Sequence, residues 1–140
     1  MSKVDLTVFE KYLEQVNCGL GEFIYQLANG DRDWTYSELS YPEREGRKYD
    51  DPTYQAEHNA WREQNDKLDA AFLESSGYEH LDGYSSGEGG DEYCYGVFKL
   101  KDKVYKAEYR YYSHHGHDYD DIESTLREVK PVQKTIVVWE

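Results

Sequence analysis

Nine consecutive residues, Ser113-His114-His115-Gly116-His117-Asp118-Tyr119-Asp120-Asp121, form the densest set of chemically competent side chains in this 140-residue sequence. Neutral imidazoles and carboxylates are ligands for Zn²⁺ and similar divalent ions. In an extended backbone His115 and His117 project to the same side, so His115, His117 and Asp120 are the candidate metal ligands. Their spacing matches no zinc signature. A glycine among aspartates is also what a solvated hairpin turn requires, and a turn is the simpler expectation. The same loop sets a base, His117, beside Asp118 and Asp120, which is the start of a hydrolytic site, but no nucleophile motif or second catalytic segment completes it. The chain is therefore expected not to be an enzyme and to need no cofactor, with a divalent ion at this loop as the alternative.

Two other stretches invite a chemical reading and fail it. Ser85-Ser86-Gly87-Glu88-Gly89-Gly90 has the glycines of a phosphate loop but no lysine, carries an acid, and precedes no helix whose N-terminus could receive phosphate. Cys94 sits between Tyr93 and Tyr95 with no cation nearby in sequence to lower its pKa, so a structural thiol is expected. Cys18 and Cys94, far apart in sequence, suit buried free thiols in a reducing compartment better than a disulfide.

The elements that would position these groups follow from periodicity. Residues 3–17 space Leu6, Phe9, Leu13 and Val16 as an amphipathic helix, with Thr7-x-x-Glu10 as a capping box and Gly19 and Gly21 as the stop. The run 23–27 is too short for periodicity to distinguish helix from strand. Residues 29–50 are polar and turn-rich, with Trp34, Tyr36 and Leu39 as anchors on the core. Asp51-Pro52 opens a long helix to about residue 75, with Tyr54, Trp61, Leu68 and Phe72 on its inward stripe and Ala60 and Ala71 filling it. Residues 76–91 read as an acidic Gly/Ser loop. Period-two alternation then predicts strands over 93–100 and 104–112 with a turn at 101–103, and two more over 122–129 and 132–139. The sum is one α+β domain over residues 1–140: N-terminal helices (1–75) packed on a C-terminal four-stranded antiparallel meander (92–140), joined by the loop 76–91.

Charge divides along the same line. Residues 1–92 hold 21 Asp+Glu against 8 Lys+Arg, and residues 93–140 hold 8 of each, so the whole net charge of −13 lies in the first two thirds. The outward face of the long helix carries Glu57, Glu63, Asp66, Asp69 and Glu74, partly offset by Arg62–Asp66 and Glu63–Lys67 at i,i+4 spacing. The loop adds Glu79, Asp82, Glu88, Asp91 and Glu92 without a lysine or arginine. These ten carboxylates are the candidate partner-binding residues. Lys99, Lys101, Lys103, Lys106 and Arg110, interleaved with Tyr109, Tyr111 and Tyr112, could stack bases. The acidic half opposes phosphate, however, so an ordinary charged sheet face and no direct nucleic-acid contact are expected.

Small size, low pI, fifteen tyrosines and missing catalytic motifs make the composition similar to the acidic inhibitors that phages and mobile elements direct against nucleases, restriction systems or CRISPR effectors. That resemblance implies a nucleic-acid mimic or adaptor whose partner is a basic protein, steered in by its negative surface. The charged N-terminal stretch lacks the apolar segment of a signal peptide, and no run reaches membrane-spanning length, so a cytoplasmic protein without membrane contact is expected. If the histidine loop does bind metal, untagged protein will carry a stoichiometric divalent ion that is lost in the His115→Ala, His117→Ala double variant. A metal-free native mass spectrum removes that site.

Overall fold

Asp51 sets the start of the longest element. In the computed structural model, which describes residues 4–85, 91–112, 116–118, 121–132 and 137–139, its Oδ1 accepts from the backbone N–H of Thr53 (2.9 Å) and Tyr54 (3.1 Å). Pro52 follows at the first helical position, where its missing N–H costs nothing. Two shorter helices precede this one: α1 (Thr7–Leu13), α2 (Leu20–Asn29) and then α3 (Pro52–Ser76). At the far end Gly77 takes the left-handed conformation (φ 62°), and its N–H returns to the Leu73 carbonyl. Lys101 continues the cap from the sheet, donating its backbone N–H to the Ser76 carbonyl (2.5 Å) and its Nζ to the Ser75 carbonyl (2.6 Å). A cation at a helix C-terminus is favoured by the dipole.

Helix α1 is shorter than its sequence pattern. Asp5, not Thr7, supplies the capping acceptor, taking the Thr7 N–H at 3.0 Å. Beyond Leu13 the chain turns to pair with residues 35–37: Asn17 N–H donates to the Thr35 carbonyl and Ser37 N–H to the Gln15 carbonyl. Residues 23–27 belong to a helix, and Gly21 lies inside it rather than ending α1. Phe23, Ile24, Leu27 and Ala28 line its buried face, and Gly30 (φ 82°) closes it.

The sheet runs β1 (Glu79–Ser85), β2 (Asp91–Leu100), β3 (Lys103–Tyr112), β4 (Gly116–Asp118), each antiparallel to its neighbour. The architecture is α+β, helices first and a four-stranded antiparallel meander after them. Its strands are not all those the pattern suggests. Residues 79–85, expected in a loop, form the first strand. Residues 122–129, expected as a strand, form helix α4 (Ile122–Thr125) followed by the two-residue β5 (Arg127–Glu128), which pairs with β3 beside β4. Val132 and residues 137–139 have no regular structure, and residues 133–136 of that expected strand lie outside the described residues. Thr125 explains how so short a strand suffices, because its Oγ1 accepts the Glu108 N–H at 2.8 Å and so satisfies the β3 edge where no strand runs.

Cys94, Gly96, Phe98 and Leu100 of β2 and Tyr105, Ala107 and Tyr109 of β3 face inward. The core is aromatic, as the composition suggests. All four phenylalanines are fully buried, Phe9 meeting Tyr105 edge-on at 5.2 Å and Phe98 at 6.2 Å, and Phe72 meeting Trp34 at 5.4 Å. Trp34 and Tyr36 anchor the irregular segment, with Leu39 packed partly against them.

Helix α2 lies against β1, β2 and β3, and glycine makes that approach possible. A Cβ on Gly96 would stand 1.8 Å from the Ala28 carbonyl oxygen, inside the backbone of α2. Around this contact the last carbonyls of α2 are capped from β1 and the residue before it: Tyr78 Oη donates to Leu27 O (2.6 Å), and His80 Nε2 bonds Ala28 O (3.0 Å). Burial pushes the Tyr78 phenol's pKa up to about 12.

With α2 occupying the inner face, α3 reaches the core only through its last turns. Its buried residues are Tyr54, Phe72 and Ser76, with Leu68 and Leu73 partly packed, while Ala60 and Ala71 are exposed and not part of an inward stripe. No helix among the described residues is long and apolar enough to cross a membrane. Gly96→Ala is expected to lower the unfolding free energy by at least about 2 kcal/mol, since backbone rather than a flexible side chain must give way. Urea denaturation followed by circular dichroism reads this directly, and a midpoint unchanged from wild type would contradict it.

Candidate functional site

The acids of α3 fall into two groups that sequence alone does not separate. Asp69 turns inward, accepting from Arg32 Nε at 2.9 Å and Nη2 at 3.0 Å and from the Tyr36 hydroxyl at 2.7 Å. It therefore does not belong to the outward face on which the periodicity places it. The bidentate carboxylate–guanidinium pair clamps the irregular segment 31–36 onto α3. It holds Arg32 more firmly protonated, and burial together with the Asp69 acceptor raises the Tyr36 phenol above its ordinary pKa. Glu57 is also engaged, with Oε2 2.8 Å from Arg47 Nη2. Arg47 in turn lies over the Tyr54 ring, 5.1 Å from its centroid.

Glu63, Asp66 and Glu74 make the second group. All three are exposed, and none forms an ion pair among the described residues. The expected i,i+4 partners of Glu63 and Asp66 are not taken up; the ion pairs of α3 run to Arg32 and Arg47 instead. Glu79 and Asp82 stand exposed on β1, and Asp82 Oδ1 also accepts the Gly83 N–H (2.8 Å). Asp91 and Glu92 begin β2, where their backbones pair with Tyr112 and Tyr111. Glu88 lies outside the described residues. So do His115 and Asp120, while His117 enters β4 opposite Tyr111. Among the described residues no group of three His, Cys, Asp or Glu is arranged to hold a metal.

The structure brings together one cluster that the sequence reading does not single out. Tyr41, from the irregular segment, packs on His58 and Trp61 in the first half of α3, and Tyr49 and Tyr54 border the same hollow. Tyr41 Oη is 2.9 Å from His58 Nε2, and its ring meets Trp61 edge-on at 4.9 Å. Arg44 lies over Tyr49 at 4.2 Å. The helical stripe through Tyr54 and Trp61 was legible, but this end of it packs on the chain's own 41–49 segment rather than on the sheet. A tyrosine at each end of that segment, with Arg44 and Arg47 between, was the available signal.

A further surface lies on the outer face of the sheet. Tyr84 stacks on Tyr95 (5.6 Å, 19°), and Lys106 Nζ lies over the same Tyr95 at 4.2 Å. No family model, curated protein or solved structure matches this chain.

Asp69→Ala removes an acceptor shared by a guanidinium and a buried hydroxyl, and is expected to cost about 1–3 kcal/mol. Asp66→Ala, three residues away but in solvent, should stay within about 0.5 kcal/mol of wild type. Equal effects of the two substitutions in thermal or chemical denaturation would refute the division of the helix into structural and free acids.

Proposed function

We propose that this chain is a small acidic protein-binding inhibitor or adaptor of the cytoplasm, acting as a nucleic-acid mimic of the phage or mobile-element anti-defence type. In this reading the solvent face of α3 meets the basic cleft of a nucleic-acid-binding enzyme. The observation that carries it is that Glu63, Asp66 and Glu74 stand exposed, without ion pairs among the described residues, on a helix whose middle turns project away from the core. Carboxylates already matched by arginine inside the fold offer little to a partner, whereas these three keep their full field. Glu79 and Asp82, exposed at the start of the sheet, extend the negative surface.

Magnitude sets what such a surface can do. At ~1.5 Å per residue the three free acids spread over roughly 17 Å of helix, a mean spacing of about 8 Å between charges. A single nucleic-acid strand carries about one per 3.4 Å. The helix is thus sparser than a phosphate backbone, and its main contribution is to steer association and select basic partners, with shorter-range contacts supplying the rest of the affinity.

The test is the triple variant Glu63→Lys, Asp66→Lys, Glu74→Lys, which leaves Asp69 and its structural role alone. Wild-type protein immobilised in a bacterial lysate should retain a basic nucleic-acid-binding protein at ~50 mM salt and release it near ~0.5 M, as the Debye length shortens. Duplex DNA should compete for the retained protein, and the triple variant, with unchanged circular dichroism, should capture at least about tenfold less, which is about 1.4 kcal/mol. Retention that ignores both salt and the triple reversal would reject the mimic reading.

A further inference from the structure

The aromatic cluster beside α3 borders a half-open hollow. Between residues 41–49 and the first half of the helix lies a pocket of about 390 Å³, walled by Tyr41, Tyr49 and Tyr54 and floored by Gln55, His58, Asn59 and Arg62. That volume is within the range of small-molecule sites, roughly 300–1,000 Å³.

Its side chains already contact one another and the neighbouring backbone. Tyr41 is tied to His58, Tyr49 is covered by Arg44, and Gln55 Nε2 donates to the Tyr49 carbonyl at 3.2 Å. Arg47 is held on Tyr54 by Glu57. A site whose side chains are ordered beforehand loses less entropy on binding. What the internal contacts leave unused is specific in kind. The Tyr41 and Tyr49 side chains remain 53% and 74% exposed. Asn59 and Arg62 have no side-chain hydrogen bond or ion pair among the described residues, and Arg44 has no carboxylate partner there either. The acids of this segment, Glu43, Glu45 and Asp50, are exposed and do not line the pocket. In a chain of net charge −13, the Arg62 guanidinium, which lines the pocket with no ion pair among the described residues, gives it a local preference for an anion.

Aromatic rings stack on planar bases, a carboxamide pairs with a base edge, and a guanidinium matches phosphate geometry. We propose that this pocket binds a mononucleotide, with the base stacked against Tyr41 and Tyr49, its edge hydrogen-bonded to Asn59, and its phosphate held by Arg62. This goes beyond the acidic-face reading and does not rest on it, because a nucleotide titration needs no protein partner.

Isothermal titration of the full chain with AMP, GMP, CMP and UMP, and with adenosine and inorganic phosphate separately, tests the proposal. At least one nucleotide is expected to bind with Kd below about 1 mM, and adenosine and phosphate alone at least about tenfold more weakly. Arg62→Ala and Tyr49→Ala should each weaken the nucleotide by about tenfold or more, while Lys67→Ala, on the same helix outside the pocket, should leave it unchanged. Tyr49 is largely exposed, so its removal tests binding even if Arg62→Ala disturbs the fold. Kd values above about 1 mM for all four nucleotides overturn the proposal. So does phosphate or adenosine binding as tightly as the nucleotide, or affinity that survives both substitutions.

Discussion

The carbonyl oxygen of Ala28 occupies the space where any side chain at position 96 would begin. Because residue 96 is glycine, α2 can press its final turn directly onto β2. Tyr78 and His80, arriving from the neighbouring strand and the residue before it, then satisfy the carbonyls that end a helix unpaired. Much else follows from this contact. Phe23, Ile24 and Leu27 are delivered into the space where Phe9, Trp34 and Phe72 meet them. The inner face of the sheet is thereby filled by a ten-residue helix, and the longer, more charged α3 is left with only its C-terminal turns to bury. The exposure of its acidic face is a consequence of how α2 and the sheet pack.

Several parts of this arrangement were legible in the residues themselves. Asp51-Pro52 and Gly77 bracket α3 through local hydrogen bonding and backbone preference, which need no tertiary context. The alternation of β2 and β3 also reads directly, since one face is buried throughout. β1 did not read as a strand. Residues 79–84 are all exposed, His80 reaches the Ala28 carbonyl at the end of α2, and a bulge between His80 and Asp82 breaks the alternation, so the hydrophobic period that marks a strand is absent. Ile122 and Leu126, both buried and four residues apart, did carry a helical signal that the surrounding β-branched residues obscured. For α3 the period of the stripe was right, but periodicity says that a face is covered and not by what. Tyr54 and Trp61 are covered by residues 41–49, Phe72 by the core.

The same distinction applies to charge. A sum of −13 treats every carboxylate alike, yet Asp51 is consumed in capping a helix, Asp69 in joining Arg32 to Tyr36, and Glu57 in holding Arg47 on an aromatic ring. Nothing in spacing separates Asp69 from Asp66, since the arginine that claims it is 37 residues away in sequence. The acids available to a partner are those the fold has not used, and they are fewer and more localised than composition implies.

The two margins of the sheet are finished differently. On the β3 side, β4 and β5 cover the ends of the strand, and the hydroxyl of Thr125 occupies the gap between them. On the other side β1 pairs only with β2 among the described strands, which leaves a row of backbone groups able to recruit a foreign strand. That margin is bent by its bulge and carries Glu79 and Asp82 in solvent. Two copies meeting edge to edge would bring like charges together across a kinked ladder. Charge and kink on this margin both disfavour pairing between two copies of the chain.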